Sequence, residues 1–156
     1  MGNIVIIVLV GIPCSGKSTW VEEWKDGISK AHDAPVIIIS RDDIRSTISG
    51  GNYKFDVKTE DTVTDLFYSQ LSGAISMDKV VIILDNTHCK HSYIDKYFTM
   101  FDQMINEGKM DIFIQVFDTP YWKCLGRNWK RAITTKKWIP LKTMEAMNNN
   151  FKKLNL

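Results

Sequence analysis

Residues 11–18 read Gly-Ile-Pro-Cys-Ser-Gly-Lys-Ser, the Gly-x-x-x-x-Gly-Lys-Ser pattern of a phosphate-binding loop. The flanks decide how much weight the pattern bears. Ile4-Val5-Ile6-Ile7-Val8-Leu9-Val10 precedes it and Thr19-Trp20-Val21-Glu22-Glu23-Trp24-Lys25 follows it. The first run is apolar and mostly β-branched, which predicts a strand; the second suits a helix. Strand, glycine loop and helix together form an anion cradle, because loop N–H groups and the helix dipole point at one spot. In this arrangement Gly11, Pro13, Cys14, Ser15, Gly16, Lys17, Ser18 and Thr19 are the expected ATP-binding set. Lys17 is placed for the β- and γ-phosphates and the Ser18 hydroxyl for Mg²⁺. Gly11 and Gly16 allow backbone angles and close approaches that a Cβ resists.

That nucleus predicts the rest of the architecture. Three more apolar runs, at 36–40, 80–85 and 110–117, join the strand at 3–10. Each is apolar at consecutive positions, as in a parallel sheet buried on both faces by helices. Helices are expected over 17–30, 42–49, 57–77, 91–107, 121–133 and 140–154. Val63, Leu66, Phe67, Leu71 and Ile75 recur at near-helical spacing, and Pro120 and Pro140 stand where helices start. Gly50-Gly51-Asn52 marks a break. No repeat or linker interrupts the 156 residues, which are expected to form one α/β domain over 1–156 with ligands at the carboxyl ends of the strands.

Composition narrows the setting. No apolar run approaches the roughly 20 residues of a membrane helix. The start lacks the basic region of a signal peptide. The three cysteines, Cys14, Cys89 and Cys124, form no C-x-x-C pair, in keeping with a reducing, cytoplasmic location. His88-Cys89-Lys90-His91 matches no standard zinc spacing. Net charge is +2 but uneven: residues 1–117 hold 11 Lys/Arg against 16 Asp/Glu, and residues 118–156 hold 9 against 2. A basic final quarter is expected to meet a polyanion.

Three strand ends carry the remaining chemistry. Ser40-Arg41-Asp42-Asp43-Ile44-Arg45 closes the second strand. A carboxylate there can take the proton of an attacking hydroxyl. Two adjacent acids point differently, so one is expected to face the cleft and the other to cap the following helix; an ion pair from Asp42 to Arg45 is the plainer alternative. Leu84-Asp85-Asn86-Thr87 closes the third strand, where Asp85 can support Mg²⁺ or hold an acceptor-site arginine. After the fourth, Asp118 to Arg131 reads as a short helix with Arg127 and Arg131 on one face, a cationic lid whose arginine offsets charge on a moving phosphoryl group. Trp122 and Trp129 share another face, to pack the lid down or to stack on a base.

The set Gly11-x-Pro13-x-Ser15-Gly16-Lys17-Ser18-Thr19-Trp20, Ser40-Arg41-Asp42-Asp43-Ile44-Arg45, Asp85-Asn86-Thr87, Val116-Phe117-Asp118-x-Pro120 and Arg127-Asn128-x-Lys130-Arg131 resembles the 5′-kinase domain of the bacteriophage polynucleotide kinase family over nearly the whole chain. The resemblance implies a P-loop kinase fold, a parallel β-sheet with helices on both faces and a C-terminal helical lid. It implies ATP and Mg²⁺, with Ser18 and Asp85 toward the metal. Asp42, Lys17 and Arg131 become the catalytic set, Arg127 a second lid cation on ATP, and Arg45, Asp85 and Arg41 the acceptor-binding set. The implied acceptor is nucleic acid, DNA first, at a 5′-hydroxyl. A hydroxymethylated base such as 5-hydroxymethyluracil in DNA, a free nucleoside, and a nucleotide sensor without chemistry remain alternatives. Two positions depart from the pattern. Cys14 stands where such loops commonly carry glycine, and Asn86-Thr87 is in reversed order.

Overall fold

The computed structural model describes residues 2–135 and 137–156. Four parallel strands, β1 (Ile4–Val10), β2 (Val36–Ser40), β3 (Val80–Asp85) and β4 (Met110–Val116), form one sheet in the order β2-β3-β1-β4. β1 is interior, in register with β3 from Ile4↔Val80 to Val8↔Leu84 and with β4 from Ile4↔Met110 to Val10↔Val116. Successive residues of a strand point to opposite faces. Ile4, Ile6, Val8 and Val10 therefore face one layer of helices, α2 (Arg41–Ile48), α3 (Glu60–Ile75) and α4 (His91–Met100), through Ile44, Val63, Phe67, Leu71, Ile94 and Tyr97. Val5, Ile7 and Leu9 face α1 (Lys17–His32) through Val21 and Ile28. Burial on both faces is what selects a nearly unbroken β-branched sequence in β1 and β3.

The remaining elements are α5 (Asp102–Asn106), α6 (Tyr121–Thr134) and α7 (Leu141–Leu154). Pro120 and Pro140 stand immediately before α6 and α7, as their fixed φ favours. Around Ile12, Cys89, Cys124 and Met144 a small second core packs α6 and α7 against the loop after β1.

Four expectations are corrected. The stretch 57–77 is not one helix: Val57–Thr59 is a 3-10 turn, capped by the Asp56 carboxylate, which accepts from Lys58 N–H (3.0 Å), and α3 starts at Glu60. The stretch 91–107 breaks at Phe101, whose backbone (φ −109°, ψ 15°) leaves the helix as its ring enters the core. α2 is capped by Ser40, whose hydroxyl accepts from Asp43 N–H at 3.3 Å, so neither acid is spent as the cap. Finally, β4 is an edge strand, and Phe113 and Ile114 are 47% and 37% exposed instead of covered on both faces.

His88 ties the sheet to α4. It is buried, with Nδ1 2.7 Å from the Leu9 carbonyl and Nε2 2.8 Å from the Tyr97 hydroxyl. Burial holds its pKa down to about 4, below the ordinary 6.5. The folded state thus binds fewer protons than the unfolded state between those values. The contribution of neutral His88 is whole above pH 6.5 and is lost as pH falls toward 4. In urea titrations from pH 7 to pH 4, the wild type should lose up to about 3 kcal/mol more than His88→Gln does. Parallel pH profiles would show that His88 is not the group responsible.

Candidate functional site

A cleft of about 1980 Å³ opens across the carboxyl ends of the strands. The loop after β1 forms its floor. A Cβ on Gly11 would meet Ser15 Oγ at 2.5 Å and Phe117 Cβ at 2.9 Å, so only glycine lets the chain turn beneath the neighbouring strand end. Gly16 adopts φ 100° at the start of α1. Cys14, the residue that replaces a glycine, also has a positive φ of 65°, a conformation that costs an L-residue roughly 1–2 kcal/mol. Neighbouring strand ends pin the loop. Gly11 N–H donates to the Thr87 carbonyl (3.0 Å), Phe117 N–H to the Val10 carbonyl (2.8 Å), and the Thr119 hydroxyl to the Ser15 carbonyl (2.7 Å). Thr119 was not singled out in the sequence, because a lone hydroxyl after a strand carries no pattern.

Lys17 is buried and folds back on the loop. Its Nζ donates to the carbonyls of Gly11 and Ile12, both at 2.9 Å, and to Ser15 Oγ at 3.4 Å. Burial lowers its pKa, against the pull of Asp85. Asp85, at the tip of β3, shows the reverse: burial raises its pKa while Lys17 and a hydrogen bond from Ser18 lower it. The Ser18 hydroxyl donates to Asp85 Oδ2 at 3.4 Å. Hydroxyl and carboxylate side by side are hard oxygen donors, the ligand type Mg²⁺ takes. These two residues fit a metal site beside the phosphate cradle.

The acceptor side is an ion network. Arg45 gives Nε and Nη2 to Glu60 at 2.9 and 2.6 Å and Nη1 to Asp42 Oδ1 at 2.8 Å. Arg41 reaches Glu60 at 3.5 Å and the Thr64 hydroxyl at 3.0 Å. The Arg41 backbone N–H donates to Asn86 Oδ1 at 3.0 Å, which ties the start of α2 to the tip of β3. Burial would lower the Arg45 pKa, but the bonds to Glu60 outweigh it and raise it; the same bonds lower that of Glu60. Asp42 thus makes the expected i,i+3 ion pair and also lines the cleft. Sequence reading missed Glu60, which holds both arginines; an acid opening a helix is ordinary, and only tertiary structure brings it to α2. It also missed Tyr53 and Phe55 at the cleft, which Lys137 lines as well. Arg45 lies over the Phe55 ring at 5.7 Å and Lys96 over that of Tyr68 at 4.4 Å.

α6 leans over the loop. Arg127 Nη1 donates to the Cys14 carbonyl and Arg131 Nη1 to Cys14 Sγ, each at 3.0 Å. Both arginines line the cleft. Trp122 and Trp129 do not pack α6 onto the body. They are 70% and 55% exposed and, with Ile133, form an outward stripe. Asn128, between the two arginines, is fully buried. Its amide donates to the Ile139 carbonyl (2.8 Å) and accepts from Ile139 N–H (3.1 Å), fastening the α6–α7 connection to α6.

The chain belongs to the AAA domain family, whose model matches residues 6–154. It is similar to a chain of the Pnkp1/Rnl/Hen1 RNA repair complex, with TM-score 0.79 and 21% identity over 99% of this chain and 46% of that one. A second Pnkp1/Rnl/Hen1 structure is matched over 40% of its chain, so the present chain spans less than half the length of either. It is similar also to Chaetomium thermophilum Kti12 in complex with ADP-AlF3 (TM-score 0.69, 16% identity, 93% of this chain and 79% of that one). A third is the Mycobacterium tuberculosis APS kinase CysC in complex with AMPPNP and APS (TM-score 0.56, 14% identity, 85% and 73%). The fold is the α/β P-loop kinase fold, with a parallel sheet and helices on both faces. Among the described residues no helix is long and apolar enough to cross a membrane.

Asn128→Ala removes both bonds that fasten the connection and leaves the Ile139 backbone groups unpaired. Denaturant unfolding should show a loss of roughly 2 kcal/mol or more, and limited trypsin digestion should cut after Lys137 faster than in the wild type. Unchanged stability and unchanged cleavage would show that the clamp is dispensable.

Proposed function

We propose that the chain is an ATP-dependent kinase that transfers the γ-phosphate to a hydroxyl of nucleic acid, most directly the 5′-hydroxyl of a polynucleotide. The observation that carries this reading is convergence: the Lys17 loop, the Asp42 carboxylate and the two lid arginines, from three strand ends, face one cleft. A nucleotide sensor has no use for a carboxylate base opposite the phosphate cradle. The cleft also carries Tyr53, Phe55, Tyr93 and Lys96, aromatic and cationic groups of the kind that hold single-stranded nucleic acid. The likeness to a chain of an RNA repair complex and the resemblance to phage polynucleotide kinases both support an end of DNA or RNA as acceptor.

In this reading Lys17 leaves the loop carbonyls for the β- and γ-phosphates. Ser18 and Asp85 would hold Mg²⁺, which offsets phosphate charge when bound. Asp42 takes the proton of the acceptor hydroxyl. The freed oxygen bonds to the γ-phosphorus while the bond from that phosphorus to the β–γ bridging oxygen breaks, and ADP leaves. Arg131 and Arg127 trade Cys14 for the phosphates as the lid settles, with Arg131 offsetting the transition-state charge.

Arg131→Ala should lower kcat strongly and move the ATP KM much less, with Lys at the same position rescuing in part because a point charge lacks the planar fork. Steady-state kinetics at saturating acceptor measure this; a raised KM with unchanged kcat would remove Arg131 from the transition state.

The deciding experiment incubates the protein with γ-labelled ATP and 5′-hydroxyl DNA and RNA oligonucleotides, hydroxymethylated duplexes and free nucleosides, and locates the label. Label on 5′-ends is expected, and Asp42→Asn should slow it by roughly 10²–10⁴-fold while ATP still binds. Label on a hydroxymethylated base or a nucleoside alone, or turnover undiminished in Asp42→Asn, would overturn the reading.

A further inference from the structure

Among the described residues, Trp122 and Trp129 belong neither to the cleft nor to a core. In α6, Trp122, Gly126, Trp129 and Ile133 follow one another at steps of four, three and four residues. That spacing sets them in one stripe along the helix. Arg127 and Arg131 hold the opposite side of α6 to the phosphate loop. The stripe therefore faces away from the loop, and Trp122, Trp129 and Ile133 are all exposed. Lys123 and Lys130, also exposed, form the adjacent row. Lys123 Nζ lies 5.4 Å from the centroid of the Trp122 ring, so cation and ring are already side by side.

Gly126 is a second, independent observation. Glycine inside a helix costs stability relative to alanine. A Cβ at this position would meet, outside its own turn of helix, no atom of the described residues within 4 Å. Internal packing therefore does not call for glycine here. What glycine provides is a bare notch between two rings that stand two helical turns, about 10 Å, apart, where a ligand can approach the backbone closely. Flat rings beside ammonium groups match the chemistry of single-stranded nucleic acid: bases stack on the rings and phosphates lie along the lysines. Charge agrees. α6 holds four Lys/Arg and no Asp/Glu, which suits a polyanion. It disfavours a second copy of this chain, whose matching stripe would bring like charges together.

We propose that the outer face of α6 is a binding site for single-stranded nucleic acid, with Trp122 and Trp129 as stacking platforms and Lys123 and Lys130 on the backbone phosphates. The strand that lies there is the continuation of the acceptor beyond the cleft; this last point rests on the polynucleotide kinase reading above. The site favours long acceptors over short ones without touching the reacting end.

Fluorescence anisotropy measures the affinity of the full chain for a long, dye-labelled oligothymidylate. Trp122→Leu and Trp129→Leu should each weaken it about 5- to 100-fold, the range for a base stacked on an aromatic ring, whereas Phe at either position should keep most of it. Lys123→Gln with Lys130→Gln should lower the salt slope by about 1.4, two phosphates on a single strand. Gly126→Ala should raise the urea midpoint and weaken binding together; Gly27→Ala, at an exposed glycine within α1, should raise the midpoint alone. With γ-labelled ATP, the double leucine variant should raise KM for the long strand and leave turnover of a thymidine dinucleotide unchanged. Unchanged affinity in the leucine variants, equal tryptophan dependence on a duplex, whose bases are already stacked, or equal loss on the dinucleotide would overturn the proposal. So would binding to anionic lipid vesicles that the double leucine variant loses while it keeps oligothymidylate, which would assign the face to a membrane surface. Labelled 5′-ends with an affinity that ignores both tryptophans sink the site alone; a tryptophan-dependent affinity without labelled ends sinks the kinase reading and leaves the site.

Discussion

The structure turns on a buried positive charge at the tip of a buried strand. Lys17 sits at the first position of α1, out of water, with two carbonyls and one hydroxyl for company. Removing an ammonium from water is costly unless counter-charge is supplied. Here the bonded partners are neutral dipoles, and Asp85, itself half-buried, lends the largest opposing charge. The site is thereby set to gain from an arriving polyanion. The strain of Cys14 in the left-handed region belongs to the same economy: the loop keeps a shape that serves a ligand better than it serves the free chain.

Around that charge, the molecule spends its polar bonds on holding loops still. Thr87 and Thr119 tie the phosphate loop to two other strand ends, and Asn86 ties the end of β3 to the start of α2. Glu60 reaches from α3 to grip both arginines of α2. Each tie joins segments far apart in the chain. Together they bring Asp42, Asp85 and Lys17 to one cleft without a helix or strand having to bend.

The lid is built on a different principle. α6 meets the loop through two arginines on one residue, Cys14, and through a small core around Ile12, Cys124 and Met144 that is distinct from the main one. A second core of that size opens at lower cost than the sheet. Asn128 makes the following connection part of the same unit, so Arg127, Arg131 and Lys137 belong to one piece. The outward stripe of Trp122, Trp129 and Ile133 takes no part in that packing.

The periodicity of the chain determined a great deal. Four strands, the phosphate loop, the two proline-led helices and the pair Arg127/Arg131 were all legible, because each depends on neighbours within one or two turns. The parallel α/β class followed from runs too apolar to have a wet face. Tertiary structure alone decided what depends on distant partners. It made β4 an edge, so that Phe113 and Ile114 are partly bare although their sequence reads as interior. It broke a helix at Phe101 to seat a ring in the core, and turned Trp122 and Trp129 outward. It chose Glu60 as the partner of Arg45 from fifteen residues away and delivered Lys137 to Asp42 from far along the chain. Local pattern records which face of an element is apolar; it does not record which charge from elsewhere will lie opposite, because that pairing is set by the order of the strands and by where the chain returns.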